Sequence, residues 1–155
     1  MNDADKLERI ARLPFVLLMV TSICIAAKDP ATKHANLCGI QEEEARTFLS
    51  AVQEAVANDN QKALSSMVAY PITLVDLKGK KVKVRNVKEF LRFYPTTATG
   101  KWKGAVHRQR YEDLFCNWRG IMIGRGELWF SGICKDQTLG HCQLKIVALN
   151  PWFAD

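Results

Sequence analysis

Residues 113–130, DLFCNWRGIMIGRGELWF, constrain the fold more than any other stretch of this 155-residue chain. They hold two of the four tryptophans and three of the nine glycines in a run that otherwise reads as strand, which predicts a bent hairpin at the centre of a sheet. Read as one alternating strand, Met122, Gly124, Gly126, Leu128, Phe130 and Gly132 share one side. Ile121, Ile123, Arg125, Glu127, Trp129 and Ile133 share the other. Glycines gathered on one side remove bulk where a sheet bends or a helix approaches. On the other side, Arg125 and Glu127 form either an ion pair on a half-exposed strand or, with Trp129 as apolar floor, a shallow pocket.

Upstream, Ala45, Phe48, Leu49, Val52 and Val56 fall at helical spacing behind Glu42, Glu43 and Glu44, which predicts a helix over 41–58. Asn58, Asp59 and Asn60 interrupt it and offer a cap for a second helix over 61–68, ended by Tyr70 and Pro71. The strand ITLVDL then turns at Lys78, Gly79 and Lys80 into KVKVR, whose Val82 and Val84 oppose Lys81, Lys83 and Arg85. Asn86 caps a third helix over 87–93. PTTATGKWKG, 95–104, reads as turn, and 105–111 as a strand or a short helical turn. A last strand covers 142–149 and stops at Asn150 and Pro151. Helices collected early and strands late give an α+β fold with an antiparallel sheet packed on three helices.

The amino terminus has the form of an export signal. Leu13 to Ala27 is a fifteen-residue apolar run behind Lys6, Arg9 and Arg12. That is short for a membrane span and suits the core of a secretory signal ending near Ala26 or Ala27. Cys24 lacks a small residue immediately before it, which argues against a lipoprotein signal. The organisation expected is a signal peptide over 1–27, a leader over 28–39 and one domain over 40–155, exported to the periplasm with no membrane span after cleavage.

Cleavage leaves four cysteines, Cys38, Cys116, Cys134 and Cys142, an even number suited to an oxidising compartment. Cys134 and Cys142 flank KDQTLGH between two strand-like runs and can face each other across a hairpin, which leaves Cys38 and Cys116 as a second pair. Three pairings are possible, and this is the most economical. Cys134, His141 and Cys142 lack a fourth ligand at a recognisable spacing, so no metal site is expected. No cofactor fingerprint occurs. His34, His107 and His141 are scattered, and Cys116 has no histidine placed to activate it, so no catalytic residue is assigned.

Charge is uneven. Between Lys78 and Arg110 there are eleven Lys or Arg residues against one acid, Glu89, while the whole chain carries only +6. Edge lysines that discourage aggregation account for such a run, and so does a face that meets an acidic protein or an anionic ligand. Lys81, Lys83, Arg85, Lys101 and Lys103, with Trp102, Trp118 and Arg119 as aromatic and arginine anchors on turns, form the expected partner-binding set. KWK and NWRG could stack on bases, but export removes nucleic acid as a partner.

The element order, with the phrases VAYPITL, VRNVKEFLRFY and DLFCNWRGIMIGRGELWF, resembles small exported bacterial proteins of the nuclear-transport-factor-2-like, or cystatin-like, superfamily. The resemblance covers about Gln41 to Leu149. It implies a strongly curved, cone-like sheet closed by helices, with a concave face for a ligand or a partner loop. It implies no activity, because this fold hosts enzymes, carriers and binding modules alike. Exported proteins of this class include immunity partners of toxins that act on the cell envelope. The expected function is therefore a non-enzymatic protein-binding module, in its most specific form an immunity or inhibitor protein. The alternative is a small-ligand binder or enzyme using the cone around Arg125, Glu127 and Trp129.

Overall fold

The computed structural model describes residues 38–76, 78–134 and 142–150. The expected signal peptide, Cys24, His34, His141 and most of the expected leader lie outside the described residues. The fold is α+β. Helix α1 spans Glu42–Ala57 and α2 Gln61–Ser66. Strands β1 (Ile72–Val75) and β2 (Lys81–Val84) follow, then α3 (Val87–Phe93) and α4 (Gly100–Arg108). Four strands complete it: β3 (Phe115–Asn117), β4 (Gly120–Ile123), β5 (Leu128–Cys134) and β6 (Cys142–Leu149). Single 3-10 turns at Tyr94–Thr96 and Tyr111–Asp113 flank α4.

Local chemistry explains most boundaries. Asn60 accepts the Ala63 amide at 3.0 Å and Asn86 that of Glu89 at 3.0 Å, each satisfying an orphan donor of its helix. Glu89 returns the favour to α3 by accepting the Arg85 amide at 2.8 Å. Asp76 accepts the amides of Lys78 and Lys80, both at 2.9 Å, and Gly79 adopts a φ of 83°, which closes the β1–β2 hairpin.

The six strands form one sheet in the order β2-β1-β6-β5-β4-β3. All neighbours are antiparallel except β1 and β6, which meet in parallel at Leu74 and Leu149. Cys116, Ile121, Phe130 and Ile146 lie in a row on one face and are buried. Leu49, Val52, Phe90, Tyr94 and Trp102 from the helices join the same core.

Two expectations are corrected. The sheet is not strongly curled into a cone. Of the three glycines expected to bend it, Gly132 does lie within strand β5, but Gly124 and Gly126, with φ of 68° and 126°, lie in the turn between β4 and β5, and Gly120 opens β4 with a φ of 119° after the preceding turn. Gly120, Gly124 and Gly126 build turns, where positive φ is needed, rather than relieving bulk along a continuous strand. Secondly, PTTATGKWKG is a 3-10 turn and the first half of a helix. Thr99 accepts the Trp102 amide at 3.1 Å and caps α4, and Trp102 and Val106, four apart, are its buried face.

Both disulfides form in the economical pairing. Cys134 and Cys142 are direct partners in the β5–β6 register with Cα atoms 3.9 Å apart. Cys38 and Cys116 join the segment before α1 to β3 across 78 residues of sequence. Two disulfides fit an oxidising compartment outside the cytosol. No helix among the described residues is long and apolar enough to cross a membrane.

Candidate functional site

The expected partner-binding residues divide among three places. Lys81 and Lys83 lie exposed on β2, one edge of the sheet, and Arg85, exposed just past its end, is 3.8 Å from Glu89. Trp118 and Arg119 form the β3–β4 turn at the opposite edge. Five strand spacings separate the edges, roughly 24 Å. Lys101 and Lys103 lie on α4, where Lys103 pairs with Asp59 at 2.7 Å.

Trp102 is not a surface anchor. It is 2% exposed, meets Tyr94 edge-on with centroids 6.0 Å apart, and donates its indole N–H to the Glu127 carbonyl at 2.9 Å. Its two lysine neighbours suggested exposure, but a helix turns successive residues by about 100° and sends Trp102 inward between them.

Arg125, Glu127 and Trp129 do not share a pocket. The β4–β5 turn breaks the strand on which they would have been neighbours. Arg125 is exposed on that turn, and Trp129 belongs to the face of β5 opposite the core. The Glu127 side chain is buried and builds the turn: it accepts the Arg125 amide, and a Cβ on Gly124 would overlap its carboxylate. Its backbone carbonyl accepts both the Trp102 indole and the Asn150 amide. These bonds give Glu127 a structural task.

Two surfaces emerge instead. The first is an apolar row on the outer face of the sheet, where Phe115, Met122, Trp129 and Ala148 are successive register partners across β3, β4, β5 and β6. Phe115 is 47% exposed and packs edge-on against Trp129 at 6.5 Å. At its end Trp118 is 87% exposed, with the Arg119 guanidinium 5.0 Å from its ring centre. Trp118, Arg119, Trp129, Val147, Ala148 and Asn150 line a groove of about 460 Å³ beside the row. The turn beneath is stiff. Asn117 accepts the Arg119 amide at 2.8 Å, and Gly120 lies so close to the Phe130 carbonyl that a side chain there would collide with it.

The second is a cleft of about 750 Å³ between α4 and the β4–β5 turn, whose charged lining is Lys101, Arg108, Arg110, Asp113, Arg125 and Glu127. Arg110 grips Asp113 through two bonds of 2.7 and 3.0 Å. This hydrogen bond and the attraction of the opposite charge raise the Arg110 pKa and hold the Asp113 carboxyl below its usual range. Glu112 next to it is also lowered, first by a backbone hydrogen bond and then by Arg46 at 3.2 Å.

Sequence reasoning missed the outer row because Phe115 and Met122 become neighbours of Trp129 only through the register. It missed the cleft because α4 was not recognised. Lys101, Ala105 and Arg108 at helical spacing were the available signal. Among the described residues no group of His, Cys, Asp and Glu is placed to hold a metal ion. No family model, curated protein or solved structure matches the chain.

Proposed function

We propose that this protein is a non-enzymatic binding module exported to the periplasm, which holds a protein partner on the outer face of its sheet beside the Trp118–Arg119 turn. The observation that carries the reading is Trp118, 87% exposed on the β3–β4 hairpin turn and lining one groove with Trp129 and Ala148 of the apolar row. A solvent-exposed tryptophan gains from burial, and tryptophan and arginine are the residues around which interface energy concentrates. Arg119 selects a partner that brings a carboxylate to the rim of the contact. The lysines of β2 add long-range attraction for an acidic protein without touching it. Two disulfides support an oxidising compartment. The narrower form, neutralising a toxin that acts on the envelope, rests on the resemblance to exported immunity proteins.

Photocrosslinking in the native envelope tests this reading. A photoreactive residue at position 118 is expected to trap one protein species in a 1:1 adduct, and the same residue at position 83 is not. Adducts from position 83 with none from position 118 would overturn the assignment of the face.

A further inference from the structure

The β2 edge and the helix that follows it form a cationic ridge outside the aromatic face. Between Ile72 and Phe93 the chain carries Lys78, Lys80, Lys81, Lys83, Arg85, Lys88 and Arg92, and every one is exposed. Lys81 and Lys83 share one face of β2, and Arg85 follows just past its end. Asn86 then caps α3, which sets Lys88 and Arg92 one turn apart on the helix. The hairpin tip adds Lys78 and Lys80, whose amides are held by the Asp76 carboxylate.

The same span holds only two acids, Asp76 and Glu89, against these seven cations. Asp76 accepts its two backbone amides, and Glu89 accepts the Arg85 amide at 2.8 Å and meets its guanidinium at 3.8 Å. Arg92 lies over the Phe93 ring at 5.4 Å. Among the described residues, Lys78, Lys80, Lys81, Lys83 and Lys88 pair with no carboxylate. Elsewhere Arg46, Lys103 and Arg110 each hold one.

The residue types select the kind of partner. Five of the seven cations are lysines, compact hydrated charges on flexible stems. Lysine is depleted from protein–protein contacts and lacks the arginine fork that fits a shaped oxyanion. Neither the groove beside Trp118 nor the cleft at α4 includes any residue of the ridge. Point charges spread along a sheet edge, without a pocket, match a partner whose negative charge is itself spread out, as in the phosphate headgroups of a bilayer. Each lysine near such a surface strengthens adsorption about fivefold. Val87, 40% exposed at the start of α3, adds one apolar side chain to the ridge.

We propose that the ridge along β2 and α3 docks this protein on the anionic phospholipid headgroups of a membrane surface, which leaves the Trp118 edge, roughly 24 Å away, open to a partner. The docking does not depend on that partner. Partitioning of the purified chain onto vesicles of phosphatidylglycerol and phosphatidylcholine in equal parts, relative to phosphatidylcholine alone, tests it. Residues 1–27 carry three cations and three acids, so the ratio reads the ridge whether or not they are retained. At about 0.1 M salt a ratio of at least about a hundredfold is expected, falling steeply as salt rises. Lys81→Gln with Lys83→Gln should lower it about twentyfold, whereas Lys62→Gln with Arg108→Gln, which removes the same charge from α2 and α4, should change it less than about threefold. All four residues are exposed, and thermal melts confirm that both double variants remain folded. Excess glycerol 3-phosphate, added at constant ionic strength, should not displace the protein. A ratio near one, equal losses in the two double variants, or displacement by glycerol 3-phosphate would each overturn the proposal.

Discussion

The two edges of the sheet answer one physical problem in different ways. An edge strand offers unpaired backbone groups to any passing strand and must be protected. At β2 the protection is charge: Lys81 and Lys83 point to solvent and Val82 and Val84 toward the protein, so that a second β strand would have to bury cations. At β3 it is brevity. The strand is only three residues long, Phe115–Asn117, and Cys116 anchors it to Cys38 ahead of α1. This edge carries no lysine, and there Phe115 and Trp118 are left exposed. Exposed lysines thus cover one edge, whereas exposed aromatic side chains mark the other, and the proposed partner contact is placed there for that reason.

The largest effect expected from this contrast is on stability. Replacing Cys38 and Cys116 by serine frees a loop of 78 residues, and chain entropy puts the loss at about 4.5 kcal/mol. The same change at Cys134 and Cys142, 8 residues apart, costs about 2.5 kcal/mol. Urea midpoints of the two double variants provide the comparison. Equal losses would mean that the β3 edge holds without its crosslink.

The next effect separates two tryptophans that look alike in sequence, each next to a basic residue, Lys101 and Lys103 for Trp102 and Arg119 for Trp118. Trp102→Ala should cost about 3–5 kcal/mol, because it empties a filled core position and leaves the Glu127 carbonyl with one donor fewer. Trp118→Ala should change stability by less than about 0.5 kcal/mol. Thermal melts of the two variants, measured side by side, check the contrast.

How far the sequence carried the fold can be judged from such residues. Helix α1, the caps at Asn60 and Asn86, the β1–β2 hairpin, β6 and the disulfide pairing were all legible, because each rests on contacts between residues near in sequence or on a small set of alternatives. Helix α4 was not, since Gly100, Gly104 and the lysines around Trp102 imitate a loop, and its signals, the Thr99 cap and the helical spacing of Trp102 with Val106 and of Lys101 with Ala105 and Arg108, are weak beside them. The row of Phe115, Met122, Trp129 and Ala148 is a product of strand order and register. Those are set by packing over long sequence distances, and local pattern does not encode them. The pocket expected from Arg125, Glu127 and Trp129 failed for a related reason, as a turn of four residues between β4 and β5 divides them between two surfaces.

On binding, Trp118→Ala should weaken a purified complex by about 2 kcal/mol or more, roughly thirtyfold, chiefly by faster dissociation. Surface resonance measurements of the 1:1 complex would report it. A change below threefold would leave the aromatic edge without its assigned role.

The smallest effect belongs to the β2 edge. Reversing Lys81 and Lys83 to glutamate keeps a charge on every solvent-facing position, so the edge stays protected and stability should move by less than about 0.5 kcal/mol. If these lysines only attract an acidic partner from a distance, reversal slows association, and the penalty shrinks as salt rises past about 0.15 M, where screening acts within roughly 8 Å. Dissociation should not change, because no contact is lost. The two rate constants therefore distinguish attraction from contact at this edge. A faster dissociation in the Lys81→Glu, Lys83→Glu variant, with Trp118→Ala silent, would exchange the roles of the two edges: the cationic strand would be the interface, and the exposed aromatics would need another explanation.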